Sequence, residues 1–290
     1  MIKIKKIQKN PEWLKDMNEP GRWNLTGYEK AWKEYPKDLD FLSKKSGHYH
    51  IKALEKEIYL EIINPFLKRL ERNSVVLDAA CGIGRFSEGL AKQGHKIYMV
   101  DSCETNLKKA LHHLKQNKAD KNAELFVADI SNLPMFADGT FDMILGIEAI
   151  CYCSNTEKAL RELARVAKKG GIIIISVEGK YGSIIADENV SLRHFGSAYS
   201  NNELRIKDHT FTKYFSREEL EETVKKAGIE ILLSQGCMYV PNGIFHRLVD
   251  LKKLGGKKYR NKLLQIEKLC GSDPILSKLA RVWIVIGKVK

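Results

Sequence analysis

The spacing of hydrophobic positions along this chain changes near residue 74. Before it, Leu54, Ile58, Ile62, Phe66 and Leu70 recur every four residues, which is the spacing of one helix face. Asn64-Pro65 falls inside that run and predicts a kink or a division, because proline has no amide proton to continue the helix. Further upstream, Trp13, Trp23, Tyr28, Trp32 and Tyr35 lie in a polar, turn-rich stretch. Residues 1–70 read as an N-terminal cap, and 71–290 as the main domain.

After residue 74, short β-branched runs alternate with amphipathic ones. Strands are predicted at 74–79, 96–100, 124–128, 141–147 and 172–177, with helices at 85–93, 104–116 and 156–167. Gly94 and Gly170-Gly171 mark helix ends. This alternation predicts an α/β fold, a parallel sheet with helices on both faces. Farther on, Ser216 and Glu219 form a capping-box pattern that opens a helix ending at Gly228. Residues 229–233 and 282–286 read as strands, and about 238–279 as a helical insertion. Residues 178–214 show little periodicity, and a segment of that length is expected to be a lid or binding loop.

Composition narrows the classes. A chain of 290 residues with 43% hydrophobic content can bury a large core. Its apolar runs, such as those around 172–177 and 282–286, are far shorter than the roughly 20 residues of a membrane-spanning helix. No apolar signal region follows Met1, so a cytoplasmic location is expected. The six cysteines (Cys81, Cys103, Cys151, Cys153, Cys237 and Cys270) form no disulfide framework, and Cys151-x-Cys153 is not a zinc spacing, so no metal site is expected. The net charge of +13 is mostly lysine. Its plainest reading is solvated helix faces; a nucleic-acid partner is possible but not favoured, because no Arg-rich tract with interleaved aromatics is present. The oligomeric state is left open.

The candidate chemistry begins at Val75-Val76-Leu77-Asp78-Ala79-Ala80-Cys81-Gly82-Ile83-Gly84-Arg85-Phe86. A buried strand delivers an acid, a small-residue turn follows, and a helix begins. Gly82 and Gly84 allow close approach of the backbone to a ligand. A dinucleotide would want a third glycine where Ser87 stands, and Asp78 adds nothing favourable for its pyrophosphate. S-adenosylmethionine has no phosphate, and its ammonium suits Asp78. Asp101 after the next strand can accept from ribose hydroxyls. Asp129 can accept from an adenine amino group while Ile130 packs on the ring. Each acid taken alone could be a helix cap. Three at successive strand ends point to a nucleoside cofactor.

Residues 75–177 resemble the class I S-adenosylmethionine-dependent methyltransferases, in particular their small-molecule group. The resemblance runs through Asp78, Cys81 to Phe86, Asp101, Asp129, Leu133-Pro134, Phe141-Asp142 and Ala159 to Val166 before Gly170-Gly171. Ala80 departs from it, standing where the family often has glycine. The resemblance implies a Rossmann-like, seven-stranded, mostly parallel sheet with its last strand antiparallel. It implies that Asp78, Ala80, Cys81, Gly82, Gly84, Arg85, Asp101, Ser102, Asp129, Ile130 and Ile147 bind S-adenosyl-L-methionine. Ile147 would lie beside the sulfonium.

The acceptor is less legible. The fourth strand ends Leu145-Gly146-Ile147-Glu148-Ala149-Ile150-Cys151-Tyr152, without the Asn/Asp-Pro-Pro-Tyr of enzymes that methylate base amino groups. That stretch resembles small-molecule methyltransferases. Glu148 is the candidate general base or stabiliser of a cationic intermediate, with holding backbone or cofactor as its plainer role. Tyr152 is a second candidate, with packing at the pocket edge as the alternative. Arg193, His194, Arg205 and His209 are candidate contacts for an anionic acceptor. The expected reaction is methyl transfer to a small or medium-sized metabolite, lipid-like molecule or modified peptide. The alternatives are an RNA or protein methyltransferase and a non-catalytic cofactor-binding protein.

Overall fold

The computed structural model describes residues 3–6, 15–16, 18–187, 190–207 and 209–290. Trp13 lies outside them. In chain order the elements are β1 (Ile4–Lys6), α1 (Pro20–Glu34), α2 (Pro36–Leu39), α3 (Tyr49–Leu67), β2 (Val75–Ala79), α4 (Ser87–Lys92), β3 (Lys96–Asp101) and α5 (Glu104–Gln116). Next come β4 (Ala123–Val127), β5 (Phe141–Gly146), α6 (Thr156–Val166), β6 (Ala167–Glu178), α7 (Lys180–Ala186), α8 (Leu192–Ser200), β7 (Glu203–Ile206) and β8 (Thr210–Lys213). The chain closes with α9 (Arg217–Lys226), β9 (Ile229–Cys237), α10 (Lys257–Ser272) and β10 (Val282–Val289).

The main sheet has the order β1-β4-β3-β2-β5-β6-β10-β9. Strands β1 to β6 run parallel, and β10 is antiparallel to both β6 and β9. It is the expected sheet with one strand more. That strand, β1, pairs Ile4 to Leu125 at the outer edge, so part of the predicted cap belongs to the sheet. Three residues are too few to show a strand period, and only the open edge of β4 gives them a partner.

Alternation along the strands divides the core in two. Val76, Met99, Leu125, Met143, Leu145 and Ile174 face α3, α4 and α5. Leu77, Val100, Phe126, Ile144, Ile173 and Ile175 face α6 and α9. Each such side chain, fully buried, contributes about 1.5–3 kcal/mol. Helix α6 shows why these helices form where they do. Asn155 caps it by accepting from the Lys158 amide at 2.9 Å. Ala159, Leu160, Leu163 and Val166 form its buried stripe. From its exposed side, Glu162 accepts the Leu133 amide at 2.6 Å and Arg165 donates to the Leu133 and Phe136 carbonyls at 3.1 Å. These bonds pin the loop after β4.

Three expectations are corrected. Pro65 neither divides nor ends α3, which continues to Leu67; Pro65 lies in the last turn, where one lost hydrogen bond is tolerated. Gly170 does not end a helix. Helix α6 stops at Val166, and Gly170 (φ 74°) makes a turn inside β6. Residues 178–214 are not a loop but fold as α7, α8 and the β7–β8 hairpin. Local helix and strand patterns there are short, and the burial of Ala198, Leu204 and Tyr214 against one another supplies the order.

Candidate active site

The C-terminal ends of β2, β3, β4 and β5 all point to one edge of the sheet, so the segments beginning at Ala80, Ser102, Ala128 and Ile147 converge there. Two adjoining chambers open above them. The first, about 390 Å³, is bordered by Asp101, Ser102, Ala128, Asp129, Ile130 and Ala149. The second, about 560 Å³, is bordered by Asp78, Cys81, Arg85, Ile147 and Lys52 with an aromatic and aliphatic wall from Trp32, Leu39, Phe41 and Phe86. Tyr28, Ala80, Gly82, Asn106, Glu148 and Tyr152 border both, so the chambers form one cleft. Such volumes suit small-molecule sites.

The first chamber is built around a buried carboxylate. Asp101 accepts from the Gly82 amide (2.8 Å), the Cys103 amide (2.8 Å) and Asn106 Nδ2 (3.2 Å). Asn106 is held in turn by Trp32 Nε1 at 2.8 Å, which ties α1 to α5. Burial pushes the Asp101 pKa up, and these donors oppose that rise. Asp129 spends Oδ1 on the Ser131 amide at 2.8 Å, and Ile130 is buried beside it.

Asp78 is 4% exposed at the edge of the second chamber. Ser87 donates to it, and among the described residues no cation lies within ion-pair distance. Burial raises its pKa to about 6, with the Ser87 bond and the Arg85 charge opposing the rise and Asp101 adding to it. A buried carboxylate without a cation is where a ligand ammonium gains most.

Backbone conformation marks the same place. Ala80 (φ 56°), Gly82 (φ 54°) and Glu148 (φ 53°) are all left-handed. For the two residues with a Cβ this costs roughly 1–2 kcal/mol each. The substitution of alanine for glycine at position 80 therefore costs strain more than room. A Cβ at Gly82 would meet no heavy atom within 4 Å, so its bare backbone faces open cleft. Gly84 is different. A Cβ there would come within 2.9 Å of Met99 Cε, so Gly84 packs the turn against β3 and α5 and borders neither chamber.

A network of charges forms the floor of the second chamber. Glu148 Oε1 accepts the Tyr59 hydroxyl at 2.6 Å and Arg85 Nη2 at 3.4 Å. Arg85 Nη1 donates to Glu55 at 3.1 Å, and Lys52 pairs with Glu55 at 2.8 Å. Asn242, from the C-terminal insertion, also donates to Glu55. Burial would raise the Glu148 pKa, but the charges of Arg85 and Lys52 and the Tyr59 bond outweigh it and hold the carboxyl well below its usual range. The backbone N–H of Glu148 donates to Ser176 Oγ at 2.8 Å. Its side chain keeps 27% exposure, toward the cleft. Tyr152 borders both chambers, and its hydroxyl reaches Glu178 at 3.4 Å. Burial pushes both the Tyr152 hydroxyl and the Glu178 carboxyl up.

Of the residues singled out from sequence, Asp78, Ala80, Cys81, Gly82, Arg85, Asp101, Ser102, Asp129, Ile130, Ile147, Glu148 and Tyr152 border the cleft. Arg193, His194, Arg205 and His209 border neither chamber; Arg205, for example, pairs with Glu203 at 2.6 Å. The cleft is roofed instead by α1. Asn24 on α1 bonds Tyr152 O at 3.0 Å and both the amide and the carbonyl of Phe211. The hairpin thus buttresses the roof from outside. Lys52, Glu55 and Tyr59 were missed. The readable signal was Glu55, a charge set among the apolar positions Ile51, Leu54 and Ile58 of one helix face.

S-Adenosylmethionine fits this cleft on its donor set. An acid without a cation, a glycine backbone open to space and two acids at the next strand ends follow the order of ammonium, ribose and adenine along the ligand.

Residues 77–175 match the family described as Methyltransferase domain. Malonyl-[acyl-carrier protein] O-methyltransferase of Erwinia pyrifoliae is 41% identical over 102 residues, 35% of this chain and 36% of that protein. Ubiquinone biosynthesis O-methyltransferase of an Azoarcus species is 28% identical over 166 residues, 57% of this chain and 68% of that one. The chain thus spans about a third of the first relative and two thirds of the second. In fold it is similar to a SAM-dependent methyltransferase of Methanosarcina mazei (TM-score 0.55, 15% identity, 78% of this chain and 96% of that one). It is also similar to geranyl diphosphate C-methyltransferase of Streptomyces coelicolor (TM-score 0.54, 12% identity, 81% and 79%). Strand order and matched residues agree: residues 77–175 match the methyltransferase domain, and the chain is similar in fold to S-adenosylmethionine-dependent methyltransferases.

Proposed function

We propose that this protein transfers the methyl group of S-adenosylmethionine to a hydroxyl oxygen of a small or medium-sized acceptor with an apolar body. The observation that carries this reading is the single cleft in which a cofactor-type chamber meets an aromatic-walled one at Glu148. The names of the two relatives, both O-methyltransferases, support oxygen as the acceptor atom.

In this reading Asp78 holds the cofactor ammonium, Asp101 with Ser102 the ribose, and Asp129 with Ile130 the adenine. Ala80, Cys81 and Gly82 line the methionine portion, and Ile147 flanks the sulfur. When bound, the cofactor supplies an electrophilic methyl group on a positively charged sulfur. The protein supplies alignment and exclusion of water. Trp32, Leu39, Phe41 and Phe86 hold the acceptor body. Glu148 accepts the hydroxyl proton as a hydrogen bond and aims an oxygen lone pair at the methyl carbon. Its low pKa makes it a poor base toward a free hydroxyl. A hydroxyl that has gained a methyl group is a strong acid, so even this carboxylate takes the proton once the bond forms. Tyr59 and Arg85 hold Glu148 ionised and in place.

Calorimetry with S-adenosylmethionine and S-adenosylhomocysteine tests the cofactor half. Incubation with methyl-deuterated cofactor and a panel of phenols, alcohols, carboxylic acids and amines, read by mass spectrometry, tests the rest. The label is expected on hydroxyl oxygens of apolar acceptors. Label on amines alone overturns the acceptor assignment, no cofactor binding overturns the reading as a whole, and cofactor binding with no label on any acceptor restores the non-catalytic reading.

A further inference from the structure

The positive charge of this chain is concentrated. Residues 246–268 contain eight lysines and arginines against two acids, of which Glu267 is buried. Among the described residues Arg260 pairs with Glu57, Lys268 with Glu61 and Lys253 with Asp250. Arg247, Lys252, Lys257, Lys258 and Lys262 have no ion pair there, and all five are exposed.

Exposed aliphatic side chains share this surface. Leu248, Leu251, Leu269 and Ile275 are 51–74% exposed. Leu248 and Leu269 flank an open groove with Phe245, Ile266, Pro274 and Leu276. Lys258, Lys262, Ile266 and Leu269 follow at spacings of four, four and three along α10, so the lysines and the groove lie on one helical stripe. The acid at the rim, Asp273, spends Oδ1 on the amides of Ile275 and Leu276.

We infer that this face docks on an anionic lipid bilayer. Lysine with leucine and isoleucine is the composition of an interfacial helix, whose aliphatic side chains enter the headgroup boundary while lysines meet anionic headgroups. Protein interfaces instead favour arginine and aromatic residues and deplete lysine. Nucleic-acid surfaces call for stacking aromatics and an arginine-rich groove. The face also adjoins the cleft. A Cβ at Gly255 would lie 3.6 Å from the His50 ring, Arg260 fixes that turn through the Leu254 and Gly255 carbonyls, and His48 and Lys52, two residues either side of His50, border the acceptor chamber. Docking brings the cleft mouth toward the membrane surface, where apolar acceptors partition.

The test is flotation of the full chain with phosphatidylcholine vesicles, with and without phosphatidylglycerol, over a salt series. Binding is expected only to the anionic vesicles and falls with salt. Each of Lys257→Gln, Lys258→Gln and Lys262→Gln lowers partitioning about fivefold. Leu248→Ser with Leu269→Ser lowers it further without changing the salt dependence. All these variants keep the wild-type melting temperature and cofactor affinity. Equal binding to neutral vesicles, no binding to either, or unchanged binding of the triple lysine variant overturns the inference. So does a stronger interaction with bulk tRNA than with anionic vesicles at the same salt. Vesicle binding without cofactor binding leaves this inference standing and removes the enzymatic reading.

Discussion

Tyr59 and Glu148 stand 89 positions apart in sequence and share a hydrogen bond of 2.6 Å. It joins the helix below the cleft to the strained residue at its centre, since Glu148 itself adopts φ 53°. The contact predicts a graded loss. Glu148→Gln lowers kcat by about 10²-fold or more, as expected when an aligned proton acceptor is lost, with little change in cofactor affinity. Tyr59→Phe lowers kcat less, by about tenfold, because it removes one hydrogen bond to a charged group. Steady-state kinetics with calorimetry checks both, and unchanged turnover in Glu148→Gln removes the assigned role.

Asp78 predicts a pH dependence of cofactor binding. Burial raises its pKa from 3.8 to about 6, so the folded protein holds this proton more tightly than the unfolded chain does. The ionised carboxylate is therefore a cost to stability that is fully present above about pH 6, and stability rises as pH falls from about 6 toward 3.8. A bound ammonium reverses the preference. Cofactor affinity is expected to increase as pH rises through 6 and to level off above it, with proton release on binding below it. Asp78→Asn flattens the profile and weakens binding at neutral pH by roughly ten- to a hundredfold, the range for a lost bond to a charged group. Calorimetry in buffers of different ionisation enthalpy reads both effects.

The turn after β2 predicts opposite outcomes at neighbouring positions. Gly82→Ala places a methyl group into open cleft without a clash, so it costs only the roughly 1–2 kcal/mol of its left-handed backbone and lowers cofactor affinity as well. Gly84→Ala drives a methyl group onto Met99 in a left-handed conformation, costing about 1–3 kcal/mol of stability. Ala80→Gly relieves the strain at φ 56° and is expected to raise the stability by a few tenths to about 1 kcal/mol. Thermal melts with and without cofactor separate the three.

Arg85 and Glu55 predict strong coupling. Their side chains are 10% and 3% exposed, so removing one leaves the other charged and buried. Lys52 still pairs with Glu55 and Glu148 with Arg85, so Arg85→Met and Glu55→Met are each expected to cost less than the about 3–5 kcal/mol of an uncompensated buried charge, and the double variant less than their sum. Additive losses in a denaturation double-mutant cycle contradict this.

The sequence was most readable where function is local. The turn from Asp78 to Gly82 and the acids at 101 and 129 follow directly on buried strands, and strand ends of a parallel sheet share one edge by construction. Ser216 and Glu219 were legible for the same reason, since a capping box closes within one turn, and both of its bonds form. Gly84 borders neither chamber, and its motif position says that a Cβ is excluded but not by what. Arg193, His194, Arg205 and His209 border neither chamber; weak periodicity gave their segment no orientation, and its hairpin packs on α1.

By itself the sequence determined every strand of the main sheet but β1 and the order of its acids, which point to a nucleoside cofactor, because strand period, glycine turns and capping act between residues close in the chain. Only the tertiary structure decided what surrounds Glu148. Its partners come from α3, from the turn after β2 and, through Glu55, from Asn242 near the end of the chain. The low pKa of that carboxylate is set by charges brought together in space, and no spacing along the chain encodes such a sum.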